Sequence, residues 1–328
     1  MRRAKPGGIN RMKPRSGRLT FWICFIAASL AVSLIPFVAT SEYLLRIITV
    51  TIFWIGMAGC WNIMSGYTGY IDFGPVVYFG IGSYATAIAM TKYGVPFFPA
   101  AVISAFSSAL IAIPIGITTL RLRGAYFAIA TFAFAETMKQ IALEFDRTFG
   151  VSFFQGSHGI TLPIGGHENT FFFYCFLSVT FAVILVHYGI EHSKFGYGLK
   201  AIHEAEASAE MAGVNTTGVK LRAYVTSAFF LGILGGIEAY WITYITPADV
   251  FNVHKTVQMV IMTLLGGMGT FLGPIVGASF LTILSEILGT AFVEYYLIMV
   301  GGIIIAIILI MPRGIVGTIK EWKGIRFL

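Results

Sequence analysis

Five ionisable side chains stand inside long apolar runs of this 328-residue sequence: Asp72, Glu136, Lys139, Glu238 and Glu286. A charge moved from water into hydrocarbon is costly. Such groups therefore face a protein interior or a wet path, where they pair, relay protons or line the route of a polar solute. Glu136 and Lys139 are three apart and would share one helix face, which suits a mutual ion pair as well as a pathway. Glu238 follows Gly235-Gly236 and would sit roughly 22 Å along its run at 1.5 Å per residue. It reads as the best single pathway candidate, with an interhelical hydrogen bond as the structural alternative. Asp72 lies in a glycine-rich break and reads as part of a gate, while Tyr67, Tyr70 and Tyr78 beside it read as packing and interface aromatics.

A second group of polar residues lies between apolar runs, in Ala201–Arg222, AIHEAEASAEMAGVNTTGVKLR. Alanine and glutamate favour helix, Gly213 stands where a helix end needs positive φ, and Asn215 would cap the next helix. Glu206 and Glu210 are four apart and share a face with His203 and Glu204 nearby. Ile202, Ala205, Ala209 and Ala212 form a small-residue face that could seat in a partner's groove. An ordinary amphipathic helix at the membrane surface would show the same pattern.

Other chemistries are missing. There is no G-x-x-x-x-G-K-[ST] phosphate loop, and His203-Glu204 opens an H-E-x-x-H motif whose fifth position is Ala207. No G-x-S-x-G elbow and no C-x-x-C occur. Cys24, Cys60 and Cys175 are scattered in apolar runs as small hydrophobes. The sequon Asn215-Thr216-Thr217 falls on the expected cytoplasmic side. An enzyme has little to stand on, and no cofactor or metal is called for.

The elements that must position these residues are membrane spans. Hydrophobic residues make up 57% and charged residues 11% of the chain, against about 25% charge in soluble domains. Apolar runs fall at about 19–39, 44–65, 75–91, 97–118, 125–143, 170–190, 223–246, 250–267, 273–291 and 294–311. These predict an all-α polytopic membrane protein with about ten transmembrane helices (eight to ten). The eighth run is short, and 250–291 also suits a re-entrant hairpin plus one long helix. A basic arm (1–18) would precede one transmembrane domain (19–311), whose polar loop spans 191–222, and a basic tail (312–328) would follow.

The net charge of +7 does not point to nucleic acid, because the cations cluster at span ends as topogenic signals do. With the arm inside, Arg121, Arg123, Lys194, Lys200, Lys220, Arg222 and the tail's Arg313, Lys320, Lys323 and Arg326 also fall inside. Lys92, Arg147 and Lys255 fall outside. Both termini and the Ala201–Gly213 helix are thus expected in the cytoplasm.

Two stretches break the helical pattern: Ser65–Gly82, with Gly69, Gly74 and Pro75, and Leu265–Gly277, with Gly269, Gly273 and Pro274. Small residues at four-residue spacing allow close backbone approach, and proline suits a helix's first turn. The likeness suggests a duplicated building block. Ordinary glycine-mediated packing is the simpler account.

Several blocks, in order, resemble the membrane-permease subunits of bacterial branched-chain amino acid ABC importers. They are Gly66-Tyr-Thr-Gly69 through Gly80-Ile-Gly82-Ser-Tyr84; Arg121-Leu-Arg-Gly124-Ala-Tyr126; Gly156-Ser-His-Gly159-Ile160; Gly196-Tyr-Gly198 through Gly213-Val-Asn215 with Lys220; and Leu265-Gly-Gly-Met-Gly269-Thr through Gly273-Pro274. Asp72 and Pro75 stand where relatives more often carry small or hydroxyl residues and a histidine, and His158 replaces the more usual asparagine.

The resemblance implies a type II ABC importer permease fold in the bacterial inner membrane. It also implies a second homologous permease, cytoplasmic ABC ATPase subunits and a periplasmic substrate-binding protein as partners, in addition to the bilayer. The cargo would be branched-chain or related small amino acids, amides or urea. On this reading His203, Glu204, Glu206, Ala209, Glu210 and Gly213 couple to the ATPases. Asp72, Glu136, Glu238, Gly69, Gly74, Gly269 and Gly273 line or gate the path. The competing class is an ion-gradient-driven secondary transporter or channel using the buried carboxylates as ion sites.

Overall fold

A computed structural model describes residues 25, 27, 29–38, 41–151, 153–163, 166–292, 295–311 and 314–322. The basic arm, the start of the first apolar run and the end of the tail lie outside them. The chain divides into two compact units, residues 1–40 and 41–328. In the first, a short helix α1 (Ile35–Val38) follows a turn at Leu34, ahead of which Ser33 Oγ donates to the Leu30 carbonyl at 2.9 Å within a helical stretch.

The second unit is helical apart from one two-stranded ribbon. Its helices are α2 (Glu42–Trp61), α3 (Pro75–Tyr93), α4 (Phe97–Thr119), α5 (Ala125–Phe149), α6 (Asn169–Glu191), α7 (Lys194–Met211) and α8 (Thr216–Ile242). There follow α9 (Pro247–Val250), α10 (Val253–Gly266), α11 (Gly273–Ala291), α12 (Tyr296–Ile310) and α13 (Gly314–Trp322). Among the described residues, five helical stretches are long and apolar enough to cross a membrane: Glu42–Gly66, Phe97–Thr119, Asn169–Glu191, Thr216–Ile242 and Gly273–Ala291.

The organising element is α8, which packs most extensively on α3 and α4. In lipid no hydrophobic drive joins helices, so contact depends on close fit and interhelical hydrogen bonds. Both occur here. A Cβ added to Gly82 would overlap the Gly232 backbone. Ser83 Oγ donates to the Gly235 carbonyl at 3.0 Å, and Ser108 Oγ donates to that of Tyr78 at 2.8 Å. The spaced glycines of the second stretch serve likewise, with Gly277 of α11 pressed against the Met262 carbonyl of α10.

The expected cap is present: Asn215 Oδ1 accepts from the Gly218 amide at 2.9 Å, so the helix begins at Thr216, ahead of its apolar part. Two elements differ from the sequence reading. The run 250–267 is divided: Thr246 caps the one-turn α9, then Asn252 caps α10, which has 14 residues. The Ala201–Gly213 helix is the second half of the longer α7, which is kinked where Ala205 adopts an extended backbone (φ −162°, ψ 99°).

The ribbon pairs β1 (Ile160–Thr161) antiparallel with β2 (Tyr244–Ile245), Ile160 opposite Ile245. Thr243 ends α8 with φ 63°, and its carbonyl accepts from the Leu162 amide at 2.7 Å. The Tyr244 hydroxyl adds a bond to the His158 carbonyl at 3.0 Å.

Replacing Gly82 with leucine is expected to cost about 3 kcal/mol or more, the upper range for overpacking. Gly189→Ala in α6, where an added Cβ meets nothing within 4 Å, is expected to be neutral or slightly stabilising. Thermal unfolding of the two purified variants in detergent checks both.

Candidate functional site

The polar residues of interest gather where both glycine breaks lie. After α2 a π turn, Asn62–Gly66, leads into the first break, and Pro75 starts α3. After α10 the second break leads to Pro274 in the first turn of α11. Asn62, fully buried, joins the two: its Nδ2 donates to the Thr270 carbonyl at 3.1 Å, and its Oδ1 accepts from the Gly269 amide at 2.9 Å. The backbones are close enough that a Cβ on Gly269 (φ 71°) would stand 2.8 Å from the Gly66 carbonyl oxygen. Glu191, at the end of α6, accepts from the Phe271 amide at 3.1 Å.

The polar segment is fastened to this region. Lys220 Nζ lies 2.5 Å from Glu206 Oε1 and donates to the Leu120 carbonyl at 3.1 Å. The Tyr70 hydroxyl donates to the other Glu206 oxygen, and Lys220 rests over the Tyr70 ring, 4.7 Å from its centroid. Arg123 approaches Glu206 at 3.9 Å and Glu210 at 3.6 Å. Glu210 also accepts from Thr216 Oγ1 at 2.9 Å. One carboxylate thus ties together α7, the base of α8, the first break and the turn after α4.

Side-chain exposure is only 3% for Lys220 and 11% for Glu206. Burial pushes the Glu206 carboxyl up, but the hydrogen bonds from Lys220 and Tyr70 and the charges of Lys220 and Arg123 outweigh it and hold it below the usual glutamate range. The Tyr70 phenol moves up, through burial and then the Glu206 carboxylate.

Other predicted residues are brought to the same place. Gly69 has φ 76°, and a Cβ there would stand 3.1 Å from His203 Nδ1, so break and polar segment touch. Asp72 is buried, and its Oδ1 accepts from the Gly74 amide at 2.8 Å ahead of α3. Its carbonyl accepts from Trp61 Nε1 at 2.8 Å. Tyr78 and Tyr224 share a 2.7 Å hydrogen bond beneath it. Gly273 begins α11 with its amide on Thr270 Oγ1 at 3.1 Å.

Glu136 and Glu238 are not in this cluster. Glu136 pairs with Lys139 at 2.5 Å, the mutual pair that their spacing allowed. Glu238 receives both hydrogen bonds of Lys255 at 2.7 and 3.0 Å, and the same ammonium lies 4.3 Å from the Phe79 ring centroid. Glu286 accepts from Tyr43 at 2.6 Å.

Sequence reasoning treated Lys220 and Lys255 as topogenic charges and Tyr70 as packing, and it passed over Asn62. Lys220 did carry a signal, since it stands on the helix that Asn215 starts, one turn after Thr216. The small-residue face of α7 is also revised. Ile202 and Ala209 are buried within the chain, while Ala205 and Ala212 are exposed.

Residues 43–308 match the family described as branched-chain amino acid transport system / permease component. The chain belongs to this family. With five long apolar helices among its described residues, this permease-family chain is a multi-pass inner-membrane protein. Two relatives are the high-affinity branched-chain amino acid transport system permease proteins LivM of Salmonella typhimurium (strain LT2) and Escherichia coli (strain K12). Each is 24% identical over 263 residues, covering 72% of this chain. The match spans 61% of the length of each relative. No solved structure matches.

Glu206→Ala is expected to destabilise the protein by about 3–5 kcal/mol by stranding the Lys220 charge, whereas Glu206→Ala/Lys220→Met recovers most of the loss. Thermal unfolding of the single and double variants measures this. Because the Glu206 carboxyl titrates lower in the fold than in an unfolded chain, its contribution is complete at neutral pH. It disappears as pH falls through the folded value, so the gap between wild type and Glu206→Ala should narrow only in acid.

Proposed function

We propose that this chain is the permease subunit of an ATP-driven importer and forms the translocation path for branched-chain or related small amino acids. It works with a homologous second permease, cytoplasmic ABC ATPase subunits and a periplasmic binding protein. It has eight to ten spans with both termini in the cytoplasm, and no nucleotide site of its own. Family membership supports the transport class. The observation that carries the coupling reading is the Glu206–Lys220 clamp, which fixes an exposed helix to the base of the most extensively packed one.

The clamp changes which residues meet the ATPase. Glu206 is engaged inward, the half-exposed Glu210 is held by Thr216 and Arg123, and His203 packs against Gly69. The outward side of α7 carries Ala207, Ser208 and Met211, with Met211 83% exposed. We assign docking to that side, with Met211 as the apolar anchor. Glu206 and Glu210 pass its movement to α8, and Gly213 (φ 84°) sets the angle between the two helices. His203 and Glu204 face the first break, which together with Gly69, Asp72, Gly74, Gly269 and Gly273 makes the inner gate. Glu238, with Lys255, lines the path toward the other end. A gradient-driven transporter has less support, because Glu136 and Glu238 are each neutralised by a lysine.

Reconstituted with its ATPases and binding protein, the chain is expected to take up leucine with ATP supplied and the proton gradient collapsed. Uptake that needs the gradient and ignores ATP would overturn the reading. Met211→Glu is expected to lower ATP-driven uptake roughly tenfold or more, as loss of an apolar anchor does. Gly213→Val, strained at positive φ, should uncouple hydrolysis from uptake in assembled transporter; normal coupling in both variants would place docking elsewhere.

A further inference from the structure

Between the kinked half of α7 and the first break lies a cavity of about 710 Å³, within the range of small-molecule sites. Its apolar wall includes Ile71, Phe73, Val260 and Met268, and His203 and Glu204 stand on its edge. A smaller cavity of about 180 Å³ shares His203, Glu204 and Met268 with it and adds Lys200. The two are therefore neighbouring compartments around the same three side chains. Lys200 and Glu204 are one helical turn apart and opposite in charge, and among the described residues neither enters an ion pair. Lysine four residues before glutamate is the less favourable order for pairing on a helix, which leaves both charges available. Glu206, also on the edge, is occupied by Lys220 and Tyr70.

A molecule spanning the two compartments meets one free cation, one free anion and an apolar wall. That set complements a zwitterion with an aliphatic side chain, and charge-assisted hydrogen bonds would orient it. We propose that the two compartments together bind a free aliphatic amino acid, with its carboxylate at Lys200 in the smaller one, its ammonium at the shared Glu204 and its side chain among Ile71, Phe73, Val260 and Met268 in the larger. The proposal rests on the importer reading for the side of the membrane that the cavity faces. An occupant wedges between α7 and Gly69, the contact that the clamp holds together. Amino acid accumulated in the cytoplasm thereby restrains the coupling helix, which makes the site a product sensor.

The test is equilibrium binding of radiolabelled L-leucine to the full chain in lipid nanodiscs, without ATPase or binding-protein subunits. Leucine is expected to bind, and 3-methylbutylamine (no carboxylate) and 4-methylpentanoate (no ammonium) should compete at least about tenfold more weakly. Lys200→Ala should weaken leucine about tenfold without affecting the amine, and Glu204→Ala should do so without affecting the acid. Val260→Trp, which fills the cavity and keeps both charges, should abolish binding; unfolding midpoints verify that all three variants are folded. No leucine binding overturns the proposal. So does binding that survives these substitutions, or that is lost only in Glu238→Gln. ATP-driven uptake without binding here sinks this proposal alone, and binding here without ATP-driven uptake sinks the importer reading alone.

Discussion

Glu206 and Lys220 stand 2.5 Å apart with almost no access to water, and much of the break-bearing end is arranged around that contact. A buried ion pair contributes little net stability over apolar residues of equal volume, yet losing one partner is severe. Its value is therefore geometric. Lys220 reaches Glu206, the Leu120 carbonyl and the Tyr70 ring at once, which fixes α7 against the base of α8. α7 bends just before Glu206, at the extended backbone of Ala205.

The second constraint is hydrogen bonding away from bulk water. Backbone groups that leave a helix within a membrane protein must find partners inside it. Asn62 supplies both a donor and an acceptor to the second break, and Glu191 satisfies the Phe271 amide. Two irregular segments far apart in the chain thereby support each other. Glycines at 66 and 269 permit the approach, and any side chain at 269 would both strain its backbone and push against Gly66.

Much of this was legible from residue types. Gly213 at positive φ, Asn215 as a cap, the proline-led starts of α3 and α11, and the close packing of spaced glycines all follow from local rules, and the structure has each of them. The clamp was not legible because its partners come from remote stretches. Tyr70 lies 136 residues from Glu206, and Lys220 lies beyond the Gly213 turn. The kink at Ala205 falls in a run of good helix formers, so propensity argued against it. The acidic face of α7 suggested an outward edge because helical spacing identifies which residues share a face but not which way that face turns. Whether Glu238 was a lone pathway acid or half of a pair depended on Lys255, which stands on the next apolar run and is brought back to Glu238 by the turn at α9.

The ribbon at the far end of α8 matters in this light. With β2 held to β1 and the Thr243 carbonyl bonded to Leu162, the long helix is secured at one end by the ribbon and at the other by the clamp. A beam fixed at both ends and interlocked along its length, through Gly82 on Gly232 and Ser83 on the Gly235 carbonyl, neither slides nor turns by itself. Displacing its Lys220 end would therefore carry α3 and α4 with it as one block.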